Sequence, residues 1–238
     1  MTESTGPVVI LTGGTGGLGT ALARRLTAKG VRLAVTYLIP EEAAQFEAVL
    51  PLDESQMLLR RVDSTSHDEL TGFMKETEER FGTINALCSL VGGWAGGRDV
   101  EDTTDVRFER MLDLNLRSAF YATRAALPHL RSADYGRIVL IGSRAADDTP
   151  TGQAAFNIAK AGVVALAKTV AQELSGTNVT ANVVMPSVID TPATRATLPY
   201  SDYIRWPTPD EIAGVIEFLL SAESGVTNGA PIPVYGDS

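Results

Sequence analysis

The segment Thr12-Gly13-Gly14-Thr15-Gly16-Gly17-Leu18-Gly19 joins an apolar run, Val8-Val9-Ile10-Leu11, to a helical pattern opening Thr20-Ala21-Leu22-Ala23. Nothing else in the chain restricts its fold so strongly. Glycines let the backbone turn tightly and approach a ligand closely. The first turn of a helix offers unpaired N–H groups at the positive end of its dipole. A strand, a glycine turn and a helix in that order form a seat for a diphosphate, whereas glycines alone mark an ordinary turn. The spacing predicts dinucleotide binding at Thr12, Gly13, Thr15, Gly16, Gly17, Leu18 and Gly19.

The same alternation runs through the rest of the chain. Short β-branched runs follow Val8–Leu11 at Arg32–Thr36, Met57–Val62, Ile84–Leu90, Arg137–Ile141, Val179–Val184 and Ile232–Val234. Between them lie helical patterns at Gly17–Lys29, Glu41–Leu50, His67–Arg80, Thr103–Leu130, Gln153–Leu174 and Thr208–Ser221. This predicts an α/β fold: a single doubly wound parallel sheet of the Rossmann type, about seven strands wide, with helices on both faces. Ser66 before His67, and Thr208-Pro209-Asp210-Glu211, mark helix starts. A length of 238 residues suits one domain spanning 1–238. Pro186 to Pro207 shows no clear periodicity, and an irregular stretch of that length predicts an active-site lid at 187–207.

Composition excludes several classes. The formal net charge is −9, and Lys and Arg cluster no further than pairs such as Arg24-Arg25, so no nucleic-acid surface is expected. The lone Cys88 lies in an apolar run, where a small core residue is expected rather than a reactive thiol. The polar start Met1–Pro7 and the brief apolar run after it predict neither a signal peptide nor a membrane span. The expectation is therefore a cytoplasmic protein. His67 and His129 are far apart and match no metal-ligand spacing, so no metal is expected.

The order Thr12, Gly13, Gly17, Gly19 resembles the short-chain dehydrogenase/reductase family, and the resemblance continues across nearly the whole chain. Asp63 stands where that family's acid contacts the adenine. Ser89-Leu90-Val91-Gly92 occupies the place of its Asn-Asn-Ala-Gly, with Gly92 alone retained. Asn115 is similar to the helix asparagine that completes a proton relay, and Ser143 to the substrate-binding serine. Pro186, Thr191 and Pro192 resemble the turn that holds the nicotinamide carboxamide, with Ile189 between them. The resemblance implies NAD(P) as cofactor, with Tyr37 at the adenosine end, a small-molecule substrate, and a homodimer or homotetramer built on the two long helices. Small residues in the second of these, from Ala154 to Ala167, permit close backbone approach, to the sheet or to another subunit.

The choice between NAD and NADP is open. An acid at the end of the second strand bonds the ribose hydroxyls and a base accepts the extra phosphate, but this chain has Thr36-Tyr37-Leu38. Glu41 and Glu42, just beyond, would repel a 2′-phosphate if they faced it.

The catalytic set is incomplete. The family places a tyrosine four residues before its lysine, on one helix face, so that the ammonium lowers the phenol pKa and the phenol exchanges a proton with substrate. Lys160 is present, 17 residues after Ser143, but the tyrosine position holds Phe156. Loss of a general acid costs about 10²–10⁴ in rate. Four readings fit. Phe156 is an engineered change; or the chain binds cofactor without dehydrogenase chemistry; or the acid is water, Lys160, Tyr200 or Tyr203; or the substrate accepts hydride unaided. Gly92-Gly93-Trp94-Ala95-Gly96-Gly97 and the stretch from Met185 to Trp206 are similar to dihydropteridine reductases, whose polarised C=N substrate suits the last reading. Those enzymes keep the tyrosine and an acid after the second strand, and this chain has neither. Trp94 either stacks on substrate or caps the core edge. Arg144, Asp147 and Asp148 read as a solvated loop, and Asp190 as part of a turn.

Overall fold

The apolar runs become parallel strands in the computed structural model, which describes residues 6–199 and 205–237. Among the described residues these are β1 (Val8–Thr12), β2 (Arg32–Tyr37), β3 (Met57–Arg61), β4 (Ala86–Ser89), β5 (Gly136–Ile141), β6 (Val179–Pro186) and β7 (Pro231–Val234). They form one sheet in the order β3-β2-β1-β4-β5-β6-β7. The helices are α1 (Gly17–Thr27), α2 (Pro40–Val49), α3 (His67–Phe81), α4 (Asp105–Leu112), α5 (Ser118–Ser132), α6 (Ala145–Asp148), α7 (Ala154–Glu173), α8 (Pro192–Thr197) and α9 (Pro209–Leu220).

Period two along each strand divides the side chains between two cores. Val8, Ile10, Ala34, Leu87, Ile138 and Leu140 pack with α3, α5 and α7 on one face. Val9, Leu11, Leu33, Val35, Cys88 and Val139 pack with α1, α2 and α9 on the other. Helices cover both faces, which is why the strands read as continuous apolar runs. Cys88 is fully buried, and burial pushes its thiol well above the ordinary range, as an inert core residue requires. The helix α7 is long and apolar enough to cross a membrane by length and composition, but half of it is buried. Val163, Ala167, Val170 and Ala171 turn that half toward the core shared with β5 and β6.

The strand order reverses between β1 and β4, and the crevice beyond their carboxyl ends is where open α/β sheets bind ligands. Leu90 N donates to the Thr12 carbonyl at 3.0 Å, so the loops leaving these strands start side by side.

The helix expected at Thr103–Leu130 forms as an unbroken helical run from Asp105 to Ser132, with one local departure from α geometry. Thr104 caps α4, a π-helical turn at Asp113–Arg117 interrupts the ladder, and α5 runs on to Ser132. The physical cause lies in Asn115, which turns inward to bond a loop 22 residues away. The strand expected at Ile84–Leu90 shortens to β4, and the Asn85 side chain accepts from Val8 N at 2.9 Å. Two short helices, α6 and α8, escape the periodicity, and α8 gives order to part of the irregular stretch 187–207. Tyr200 and Tyr203 lie outside the described residues.

Candidate active site

The phosphate loop is shaped by contacts that only glycine permits. Gly13 has φ of +66°, and a Cβ there would stand 2.7 Å from Val91 Cγ2. A Cβ on Gly19 would stand 2.3 Å from the Gly14 carbonyl oxygen, so α1 begins hard against its own approach loop. The loop is tied to β2 as well. Gly13 N donates to Thr36 Oγ1 at 3.0 Å, and Gly14 N to the Thr36 carbonyl at 3.1 Å. By contrast, a Cβ on Gly16 would meet nothing within 4 Å, and Gly16 precedes α1 as an N-cap that makes no side-chain hydrogen bond. Uncapped first-turn amides beside open space are the geometry that a diphosphate fits. On the far side, a Cβ on Gly17 would lie 3.5 Å from Thr191 Cγ2, which brings the β6–α8 turn against this loop.

A second group converges at Gly92, after β4. A Cβ at Gly92 would stand 3.0 Å from Asn115 Oδ1 and 3.3 Å from Lys160 Nζ. Asn115 is buried, and its side chain holds the neighbouring backbone: Oδ1 accepts from Gly93 N at 3.1 Å, while Nδ2 donates to the carbonyls of Gly93 at 2.9 Å and Met111 at 3.1 Å. The π turn presents Asn115 for these bonds, and such turns collect at functional sites. Asn115→Ala, which leaves those groups unpaired, is expected to cost about 2–4 kcal/mol of stability in denaturant unfolding. A change below about 0.5 kcal/mol would show that the clamp contributes nothing.

Lys160 on α7 is buried, and Nζ donates to the Ile141 carbonyl at 2.8 Å. Burial lowers its pKa from 10.5 to about 8. The ring of Phe156 lies one turn earlier, with Nζ 5.8 Å from its centroid. Phe156 is buried with Met111, Ala145 and Ala155. Ser143, two residues beyond Ile141, is half-buried, and its Oγ accepts from Ala145 N at 3.2 Å. Trp94 is exposed, and its Nε1 donates to Gln153 Oε1 at 2.5 Å, bridging the loop after β4 to the start of α7. Gln153 carries no signal in the sequence, because its role depends on where Trp94 lands.

The remaining predicted residues line the two ends of the crevice. Thr191 caps α8, its Oγ1 accepting from Thr194 N at 3.1 Å, and Ile189 packs into the core that includes α1 and α9. Asp190 pairs with Arg195, which holds its carboxyl below the usual range, in keeping with a turn residue. Pro186 ends β6, and its carbonyl accepts from Arg144 N at 2.9 Å. Arg144 pairs with Asp148 along α6, and both are exposed or nearly so. At the other end, Val62 N donates to the Tyr37 carbonyl at 2.9 Å, which sets Asp63 beside the end of β2. Asp63 Oδ1 accepts from Thr65 N at 2.8 Å and Thr65 Oγ1 at 2.7 Å. The structure thus gathers Gly92, Asn115, Phe156 and Lys160 at one end and leaves Tyr37 and Asp63 at the other, with the phosphate loop between.

A family model described as short chain dehydrogenase matches residues 7–200. The chain is 34% identical over 236 residues to the 3-oxoacyl-[acyl-carrier-protein] reductase MabA of Mycobacterium tuberculosis, covering 96% of this chain and 91% of that protein. It is 29% identical to an acetoacetyl-CoA reductase of Allochromatium vinosum, covering 96% and 97%. Among solved structures, a short-chain dehydrogenase/reductase from Serratia marcescens superimposes with a TM-score of 0.89 at 28% identity, covering 98% of each chain.

Proposed function

Because the chain belongs to the short-chain dehydrogenase/reductase family, we propose that it moves hydride between NAD(P) and a small carbonyl or imine substrate. The observation that carries this reading is the convergence of Lys160 and Asn115 on Gly92, beside an uncapped helix start open enough for a diphosphate. The nicotinamide supplies or takes up the hydride when bound.

The chain's own residues then divide the work. Amides at Gly16, Gly17, Leu18 and Gly19 hold the diphosphate, with Thr12, Gly13 and Thr15 shaping the loop. Tyr37 and Asp63 flank the adenosine. Gly92, Pro186, Ile189 and Thr191 border the nicotinamide, and Lys160 binds its ribose. Ser143 orients the substrate by a hydrogen bond from its hydroxyl to the carbonyl oxygen or imine nitrogen, keeping its proton, and Trp94 and Phe156 wall the substrate. Asn115 fixes the loop at Gly93 and offers a place for a relay water. The lid expected at 187–207 would act at this crevice; residues 200–204 of it lie outside the described residues. Phe120 on α5 and Ile158 on α7 are exposed apolar residues on the two helices that would pair in a homodimer or homotetramer. The enzyme works in the cytoplasm, without metal, nucleic acid or membrane.

Phe156 favours a second reading. A site with no phenol one turn from Lys160 lacks the usual proton donor, which suits a protein that binds NAD(P) without turning over. Titration with NADH and NADPH, followed by turnover on a carbonyl and imine panel, separates the two. The panel includes a 3-oxoacyl thioester and, because of the Gly92–Gly97 stretch, a quinonoid dihydropterin. Hydride transfer to any member supports the first reading; tight binding without turnover supports the second. Absence of nucleotide binding contradicts both.

The buried lysine makes the apo-protein's stability depend on pH. Its folded pKa of about 8 lies below the ordinary 10.5, so the folded state carries a penalty below about 8 that is relieved as pH rises toward 10.5. That gap corresponds to about 3 kcal/mol. Lys160→Met removes the penalty, so the stability of the native protein relative to this variant is expected to rise across that window. A difference that stays flat from pH 7 to 11 would mean that Lys160 keeps its ordinary pKa.

A further inference from the structure

We propose that Glu42 makes this chain select NAD(H) over NADP(H), an inference that rests on the nucleotide-binding reading above. Glu42 is the third residue of α2, behind Pro40. From there it reaches the phosphate loop, where Oε2 accepts from Thr15 Oγ1 at 3.4 Å. Thr15 is buried, and its carbonyl accepts from Thr20 Oγ1 at 3.4 Å, so this part of the loop is fixed to α1. Gly13 and Gly14 tie the preceding residues to Thr36 at the end of β2.

The Glu42 carboxylate therefore stands between the phosphate loop and the end of β2. A dinucleotide running from the first turn of α1 toward Tyr37 and Asp63 passes its adenine ribose through this space. A carboxylate there can accept hydrogen bonds from the 2′-hydroxyl and opposes the charge of a 2′-phosphate. The residues at the strand end itself, Tyr37, Leu38 and Ile39, carry no charge, so α2 supplies the acid that β2 does not. A cation stands at the same strand end: Arg61 is exposed, and its Nε donates to the Leu38 carbonyl at 3.3 Å. Arg61 is the group to which a 2′-phosphate would have to turn, so it acts against Glu42.

The experiment is a binding titration, independent of turnover. NADH and NADPH are titrated against the native protein, Glu42→Gln and Arg61→Met at fixed ionic strength, following nucleotide fluorescence. The native protein is expected to bind NADH at least about tenfold more tightly than NADPH. Glu42→Gln should bring the two within about threefold, chiefly by tightening NADPH. Arg61→Met should weaken NADPH alone and widen the native ratio. A native preference for NADPH, or a ratio that Glu42→Gln does not move, would overturn the proposal. Failure of the native protein to bind either nucleotide overturns the underlying reading as well, and is told apart from a lost preference by that double absence.

Discussion

Phe156→Tyr is expected to raise turnover by about 10²–10⁴-fold on a carbonyl substrate, the range that a positioned general acid contributes. The surroundings are ready for the added hydroxyl. Phe156 lies one turn before Lys160 on α7, with the ammonium 5.8 Å from the ring centroid. A phenol in that place feels a buried positive charge, which lowers its pKa toward the working pH. NADH affinity should change by less than about threefold, because the substitution adds chemistry without touching the diphosphate seat. Steady-state kinetics on the native and tyrosine forms measure both quantities. Equal turnover in the two forms, with binding intact, would mean that residue 156 does not face the reacting atoms.

The second large effect separates a glycine needed for folding from one needed for a ligand. Gly16 has φ of −70° and ψ of 175°, an extended conformation that any residue adopts, and a Cβ there meets nothing within 4 Å. Gly16→Val should therefore fold normally, with a melting temperature within about 2 °C of the native value. A branched side chain in that open space, on the residue that precedes α1, is expected to crowd a diphosphate seated on the first-turn amides. Losing two charge-assisted hydrogen bonds to phosphate costs about 3 kcal/mol, and NADH affinity should fall by about 100-fold or more. Gly19→Ala should do the reverse of this separation. Its Cβ would meet the Gly14 carbonyl oxygen at 2.3 Å, a backbone atom that cannot move cheaply. That variant is expected to lose at least about 3 kcal/mol of stability, and to lose nucleotide binding with it. Thermal unfolding and NADH titration on the two variants make the comparison. Normal binding by Gly16→Val would remove the phosphate loop from the nucleotide site.

These residues also show what the sequence reveals. The strands were legible because a sheet covered on both faces demands continuous Val, Ile and Leu. The starts of α3 and α9 were legible because Ser66 and Thr208 accept from Glu69 N and Glu211 N. The turn between β1 and α1 was legible because close backbone approach leaves glycine no substitute at Gly13 and Gly19. The π turn at Asp113–Arg117 was not, since it follows from Asn115 bonding the Gly93 backbone, a contact 22 residues away. Helices α6 and α8 are shorter than two turns and leave no periodic trace. Gln153 was invisible as a site residue for a related reason, being an ordinary polar residue until packing brings Trp94 to it. Glu42 was legible as a neighbour of the ribose site, but whether it faced the phosphate loop depended on its meeting Thr15 in the fold.

Nucleotide binding by this chain requires main-chain amides at the start of α1 to receive a diphosphate. A crystal of the native protein grown with NADH tests this most directly. Density for diphosphate oxygens within about 3 Å of the amide nitrogens of Gly17 and Leu18, with the nicotinamide end toward Lys160, is the predicted result. A crevice that stays empty at saturating nucleotide, or a dinucleotide seated elsewhere, would contradict it.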